Sequence, residues 1–197
     1  MNIEILLALC AFAFVSSVTP GPNNLMLMTS GANYGIRRSM PHFLGVVLGF
    51  LLMIMLVGVG LVRVFDAYPV SHDILRVLSI AYLSYLALKI ATARPGMAAA
   101  AGRFLTTLQA VLFQWVNPKA WAMALTALTV YSPGQGFAMV TLVALVCALV
   151  NTPSVFVWVL LGSQLQRWLR NDFRLRCFNC AMALLLLASL YPVISGS

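Results

Sequence analysis

The sequence predicts an all-α membrane protein with six transmembrane helices, arranged as two inverted three-helix repeats in which helices 1 and 4 are broken. Three observations predict it. Of the 197 residues, 62% are hydrophobic and only 8% are charged, whereas a soluble domain carries roughly 25% charged residues. The apolar residues gather into six runs, each near the roughly 20 residues that a helix needs to cross a bilayer. The first and fourth runs are interrupted by proline in corresponding places, at Thr19-Pro20-Gly21-Pro22-Asn23-Asn24 and at Asn117-Pro118-Lys119.

The first span is read from Ile3 to Ala32, long because two prolines and a glycine break it. Its leading residues, Met1-Asn2-Ile3-Glu4, hold no positive charge such as a secretory signal needs, so the run is expected to remain in the membrane. The second span runs from Pro41 to Val62 and contains Gly45-Val46-Val47-Leu48-Gly49, a GxxxG spacing that favours close helix packing. The third runs from Ile74 to Thr92. Ala93-Arg94-Pro95-Gly96 through Gly102-Arg103 then reads as a linker. It divides one transporter domain, residues 1–197, into a repeat over about 1–93, a linker over about 94–103 and a repeat over about 104–197. The fourth span covers Phe104 to Tyr131 and holds the second break. The fifth covers Phe137 to Gly162 and the sixth Cys177 to Ile194. Asn151-Thr152-Pro153 lies in the middle of the fifth span, and the second span has no proline to match it.

The formal net charge of +8 is not the footprint of a nucleic-acid binder, because the basic residues lie in short stretches between apolar runs. Arg37, Arg38, Lys89, Arg94, Arg103, Arg167, Arg170, Arg174 and Arg176 fall on one side, and Arg63 and Arg76 on the other. The richer side is expected to be cytoplasmic, which leaves both termini outside, in the periplasm if the cell has one. Three spans per half turn the second half upside down relative to the first. The basic turn Gly35-Ile36-Arg37-Arg38 and the uncharged Ser132-Pro133-Gly134-Gln135 occupy equivalent places, as opposite sides require. Pro22 and Pro118 align about 96 residues apart, setting Asn23 opposite Lys119. The expected partners are the lipid bilayer and a small molecule, with a homo-oligomer open and no nucleic acid.

Proline and glycine in mid-membrane free backbone groups that must find partners or line a wet cavity. Two such breaks in corresponding places point to a transport site near the midplane. Lys119 is the ionisable side chain placed deep in the membrane, at a cost of about 2.5 to 3.5 kcal/mol on insertion scales. Glu4, Asp66, Asp73 and Asp172 all lie near span ends or in loops. The ammonium can therefore be offset by water, by backbone carbonyls or by the carboxylate of a substrate; the alternative is a lysine that snorkels or stays neutral. Asn23 and Asn24 open the half-helix after Pro22, where free amides and the positive dipole end gather. They can cap the helix, bind a substrate, or both. Gln114 and Asn117 are the similar candidates at the other break, and Asn151 and Thr152 on the fifth span, with interhelical bonding as the other role for Asn151. Pro20, Gly21, Pro22 and Pro118 complete the candidate substrate-binding set. Trp115 and Trp121 flank Lys119 and read as packing, and His42 and His72 as structural, with a proton relay as the other option.

No cofactor, metal cluster or catalytic triad is read from the sequence, and an enzyme is not expected. Cys177-Phe178-Asn179-Cys180 is formally a CxxC and invites a membrane thiol relay. Its expected cytoplasmic place is reducing, and the breaks carry asparagine and lysine where a relay needs cysteine. A purely structural membrane subunit is the remaining alternative.

Thr19-Pro20-Gly21-Pro22-Asn23-Asn24, the following Gly31-Ala32-Asn33-Tyr34-Gly35 with Arg37-Arg38, and Gln114-Trp115-Val116-Asn117-Pro118-Lys119-Ala120-Trp121 resemble the LysE/RhtB family of bacterial amino-acid exporters. The resemblance covers nearly the whole chain. It implies secondary export of amino acids or close derivatives across the bacterial plasma (inner) membrane, driven by the proton gradient. Many members of that family carry an acidic residue just after the second of two spaced glycines in span two. Here Gly49 is followed by Phe50. The resemblance therefore leans to the branch that exports neutral substrates such as cysteine, O-acetylserine, homoserine or threonine.

Overall fold

The computed structural model describes residues 1–61, 67–68, 70–93, 104–132 and 136–195, and every regular element among them is helical. Helix α1 spans Ile3–Val18, and the Asn2 side chain caps it by accepting from the Ile5 amide at 2.9 Å. The chain then runs extended through Thr19 to Gly21 before α2, Pro22–Leu56, begins with Pro22 at its first position. A proline there loses no bond, because that N–H has no helical partner in any case. A π-helical turn, Val57–Leu61, follows α2.

Helix α2 is a hairpin. Gly35 takes φ 73°, ψ 174° in its middle, a conformation that glycine adopts without the penalty other residues meet. The Ser30 hydroxyl donates to that of Ser39 at 2.9 Å, although a straight helix would hold residues nine apart at about 13.5 Å. The turn is thus one residue long, shorter than the sequence reading. Its second arm starts at Ile36 instead of Pro41, so Arg37 and Arg38 are exposed on the first turn of a helix and Pro41 lies inside it. Hydropathy marks where apolar residues begin, whereas the helix restarts as soon as the glycine has reversed the chain.

Helix α3 spans Val70–Ala91. Helix α4, Thr107–Phe113, opens with a capping box made by Thr106 and Gln109. A 3₁₀ turn at Gln114–Val116 and an extended Asn117 separate it from α5, Pro118–Tyr131. Helix α6 is Phe137–Leu165, with Pro153 inside. Helix α7, Asp172–Ala188, is capped by Asn171, and a short α8, Tyr191–Ser195, follows. The sixth apolar run therefore begins its helix five residues before Cys177, because Asn171 is the residue able to cap it, and Asp172 opens the helix rather than lying in a loop. The linker over 94–103, with Arg94 and Arg103, lies outside the described residues, as do Arg63, Asp66 and Pro133-Gly134-Gln135.

Among the described residues, four stretches are long and apolar enough to cross a membrane: Pro22–Leu61, which contains the hairpin, Val70–Ala91, Phe137–Leu165 and Asp172–Ser195. Ile3–Val18 and Thr107–Val116 are shorter apolar helices. Both broken runs of the sequence are broken here, and Pro22 and Pro118 hold the same first position of the helix after each gap.

Glycine sets the closest contacts. A Cβ on Gly31 would lie 2.3 Å from the Val159 carbonyl oxygen, and one on Gly162 would lie 2.0 Å from that of Met28, so α2 and α6 touch backbone to backbone. Gly45 and Gly49 bring the second arm of α2 against α4, with the Thr107 carbonyl 2.4 Å from a Cβ at 45. The close packing expected of the GxxxG spacing is present.

Among the described residues the apolar core falls into two large clusters, beside a small one of Ala32, Leu169 and Leu175. One holds Leu25–Leu27, Phe43, Val46, Phe113, Val155 and Val159; the other holds Leu9, Ala13, Phe50, Met53, Ala120, Val143 and Cys147. Along each of four chain segments the division falls at one level: between Ala13 and Leu25, between Val46 and Phe50, between Phe113 and Ala120, and between Cys147 and Val155. The buried polar residues Ser17, Asn24, Gln114, Asn117, Asn151 and Ser154 fall in three of those intervals, and Gly49 stands in the fourth. A polar layer crosses the molecule at the height of the two breaks.

Candidate functional site

At the first break, every carbonyl from Val15 to Gly21 finds a donor. The Thr19 amide takes the Val15 oxygen at 3.2 Å and the Thr19 hydroxyl the Ser16 oxygen at 3.1 Å. Asn24 Nδ2 donates to both Ser17 O and Thr19 O at 2.7 Å, and the Trp158 indole donates to Val18 O at 3.2 Å. Lys119 Nζ donates to Thr19 O at 2.6 Å, to Thr19 Oγ1 at 2.8 Å and to Pro20 O at 3.3 Å. Gly21 O takes the Leu25 amide at 3.0 Å, the first bond of the new helix. A gap in an apolar environment persists only under such full pairing.

The second break is closed in the same way. Gln114 Nε2 donates to Ala110 O at 3.0 Å, and the Trp121 indole to Trp115 O at 2.9 Å. Asn117 caps α5, its Oδ1 accepting from the Lys119 amide at 3.2 Å. Trp115 and Trp121 pack edge to face with centroids 6.0 Å apart, so the tryptophans expected as packing residues also tie off a freed carbonyl.

The two breaks brace each other. Asn23, second residue of α2, exchanges amide hydrogen bonds with Gln114 at the end of the other first half-helix, at 2.8 and 3.2 Å. Lys119, second residue of α5, reaches the end of α1. Of the three offsets open to its ammonium, backbone carbonyls at a negative helix end supply the one seen. Gly21 makes room for it: a Cβ there would stand 2.6 Å from Lys119 Cδ.

Between the braces lies a cavity of about 20 Å³, whose polar wall includes Ser17, Asn23, Asn24, Asn117, Lys119 and Asn151. Phe50, Met123 and Val155 form its apolar wall. That volume holds about one water and is far below the roughly 300 Å³ at which small-molecule sites begin. A second cavity, of about 430 Å³, lies beyond the break against Pro20, Pro22, Pro118, Ser189 and Val193. Gly21 and Lys119 line both, so Lys119 stands between a small polar chamber and a roomier space.

All ten candidate residues of the sequence reading meet here: Gly21, Asn23, Asn24, Asn117, Lys119 and Asn151 on the chamber, Pro20, Pro22 and Pro118 on the neighbouring cavity, and Gln114 bonded to Asn23. Thr152 does not join them; its hydroxyl turns back to Ala148 O at 2.7 Å. Ser17 and Trp158 escaped the sequence reading, and Thr19 and Phe50, though noted there, were not among its candidate binding residues. The pair Ser16-Ser17, one turn ahead of a proline break, was the available signal for the first. His42 is wholly buried, neither ring nitrogen has a hydrogen-bond partner among the described residues, and the ring packs on Phe104 at 5.7 Å, away from the chamber. Cys177 and Cys180 are free and exposed and line neither cavity.

The description "LysE type translocator" matches residues 14–189. The chain belongs to that translocator family. It is 30% identical over 190 residues to the cysteine/O-acetylserine efflux protein of Escherichia coli (strain K12), covering 94% of this chain and 95% of that one. Against the protein of the same description from Escherichia coli O139:H28 (strain E24377A / ETEC), identity is 29% over 191 residues, with 95% and 96% covered. The Shigella sonnei (strain Ss046) relative is 30% identical over 190 residues, with 94% and 95% covered. No solved structure matches the chain. The LysE-type translocator is accordingly a multi-pass membrane protein, and the motif resemblance is borne out.

Proposed function

We propose that this LysE-type translocator is a proton-driven secondary exporter of small neutral amino acids or close derivatives in the bacterial plasma (inner) membrane. It crosses the bilayer six times as two inverted repeats, with both termini on the periplasmic side. The observation that carries the reading is the mutual bracing of the breaks around one chamber. The second residue of each later half-helix holds the end of the opposite earlier one, through Asn23–Gln114 and Lys119–Thr19. A pseudo-two-fold axis through the polar layer generates that reciprocity, and inverted-repeat carriers bind their cargo at such a place.

The chemistry of the chamber supports a neutral cargo. Its walls offer amides, the hydroxyl-bearing Ser16 and Ser17 and one ammonium, and Phe50 stands where a carboxylate would be needed for a cationic side chain. The relatives described as cysteine/O-acetylserine efflux proteins fit that class. In the conformation described, the chamber is too small for an amino acid and Lys119 is held by Thr19 and Pro20. Loading requires the half-helices to part. An arriving carboxylate then takes over the ammonium, with the dipole ends of α2 and α5 assisting, and rocking of the broken helices exposes it on the far side.

The test is export of cysteine, O-acetylserine, homoserine and threonine from overexpressing cells, with wild type beside Lys119→Met at matched membrane abundance. Wild type should secrete at least one of them, and Lys119→Met should abolish secretion. A protonophore should stop it as well. Unchanged secretion by Lys119→Met removes the carboxylate-capture step, and a wild type that secretes none removes the neutral-export reading.

A further inference from the structure

Ser17 is the one side chain on the chamber whose behaviour the fold does not explain. It is 3% exposed, lines the chamber, and its hydroxyl has no hydrogen-bond partner among the described residues. Several other hydroxyls in helices of this chain turn back on the preceding turn. Thr29, Ser39, Ser79, Thr152 and Ser154 each donate to the carbonyl four residues earlier, at 2.7 to 2.8 Å. An unmet buried hydroxyl is costly, and native structures keep one where something outside the chain completes it.

We propose that Ser17 reads the side chain of the cargo, and so sets which neutral amino acids are carried. The inference rests on the export reading and adds the residue that discriminates among substrates. The charged ends of an amino acid have other partners in the chamber: the Lys119 ammonium for the carboxylate, and the Asn117 and Asn151 amides for the ammonium. Ser17 is uncharged and single. A hydroxyl both donates and accepts, so it can meet the thiol of cysteine, the hydroxyl of serine and the ester oxygens of O-acetylserine. The apolar Phe50 and Val155 beside it hold the carbon atoms of the same side chain. A pocket that offers a hydrogen bond at this point disfavours an analogue that leaves the hydroxyl unpaired.

The experiment uses the full chain in proteoliposomes and measures half-saturating concentrations for cysteine, serine and 2-aminobutyrate, the last being their size match without a polar side-chain atom. Wild type should favour cysteine or serine over 2-aminobutyrate. Ser17→Ala should raise the half-saturating concentration of the polar substrates about tenfold, the worth of one hydrogen bond, and leave 2-aminobutyrate unchanged. Ser17→Cys, a weaker donor, should fall between and serves as the sole test if Ser17→Ala does not reach the membrane. Equal shifts for polar and apolar substrates, or no shift in either variant, overturn the role of Ser17 while leaving export standing. A wild type that carries none of the three overturns the inference together with the neutral-export reading.

Discussion

Lys119 and Gly21 act as a pair. The lysine stem crosses the face of the glycine, so an added methyl group displaces the side chain without straining the extended backbone. Gly21→Ala should therefore impair export as Lys119→Met does, and the double variant should be no worse than either single one; additive losses in a double-mutant cycle of transport rates would separate the two residues. Trp158→Phe keeps the ring and removes the donor to Val18 O. It should cost about 1–3 kcal/mol, read as a lower melting temperature in detergent. His42→Leu replaces an unmet buried ring with carbon and should leave export and stability intact; loss of export at normal abundance would instead give the imidazole a proton-carrying role. The lysine was legible in the sequence because a lone cation among apolar residues is conspicuous. Its partners were not, since carbonyls carry no letter in a sequence, and Ser17 was hidden because a helical serine ordinarily satisfies itself.

Helices were legible in their centres and not at their ends. Periodic apolar residues fix the middle of a span, while its start is fixed by a capping side chain such as Asn171 or by one glycine such as Gly35. The two breaks were legible because proline cannot continue a helical ladder. The backbone contact of α2 with α6 was not, although its glycines stood in plain view at 31 and 162. Gly162→Val puts three carbon atoms where the Met28 carbonyl already sits. It should separate the helices, lower membrane abundance and depress the melting temperature by several degrees, overpacking of this kind costing about 1–3 kcal/mol. Gly136→Ala, where nothing among the described residues lies within 4 Å, is the control: it leaves the contact of α2 with α6 intact and should cost only the cap preference of glycine over alanine, less than Gly162→Val.

At the scale of the whole molecule, the division of the core into two apolar clusters by a polar layer identifies the place where the protein has to open. An engineered Asn23→Cys should react with a water-soluble maleimide in cells, faster when substrate drives turnover than at rest, because the resting chamber admits only about one water. Equal labelling at rest and in turnover would mean a permanently open path. Pairing of the two breaks could be anticipated from Pro22 and Pro118. Which residues clasp across the pair could not, because it depends on how the halves dock.

The one-residue turn at Gly35 has a mechanical consequence. Thirteen residues of α2 precede it and twenty-one follow, with no slack between them and with Ser30 bonded to Ser39 across the bend. The short helix that begins at Pro22 therefore cannot swing by itself; it must carry the adjoining arm as a single lever hinged at Thr19–Gly21. A Gly-Ser-Gly insert after Gly35 should loosen that lever and slow turnover while leaving half-saturating concentrations as they were, and an unaltered turnover rate would mean that the two arms do not move as one.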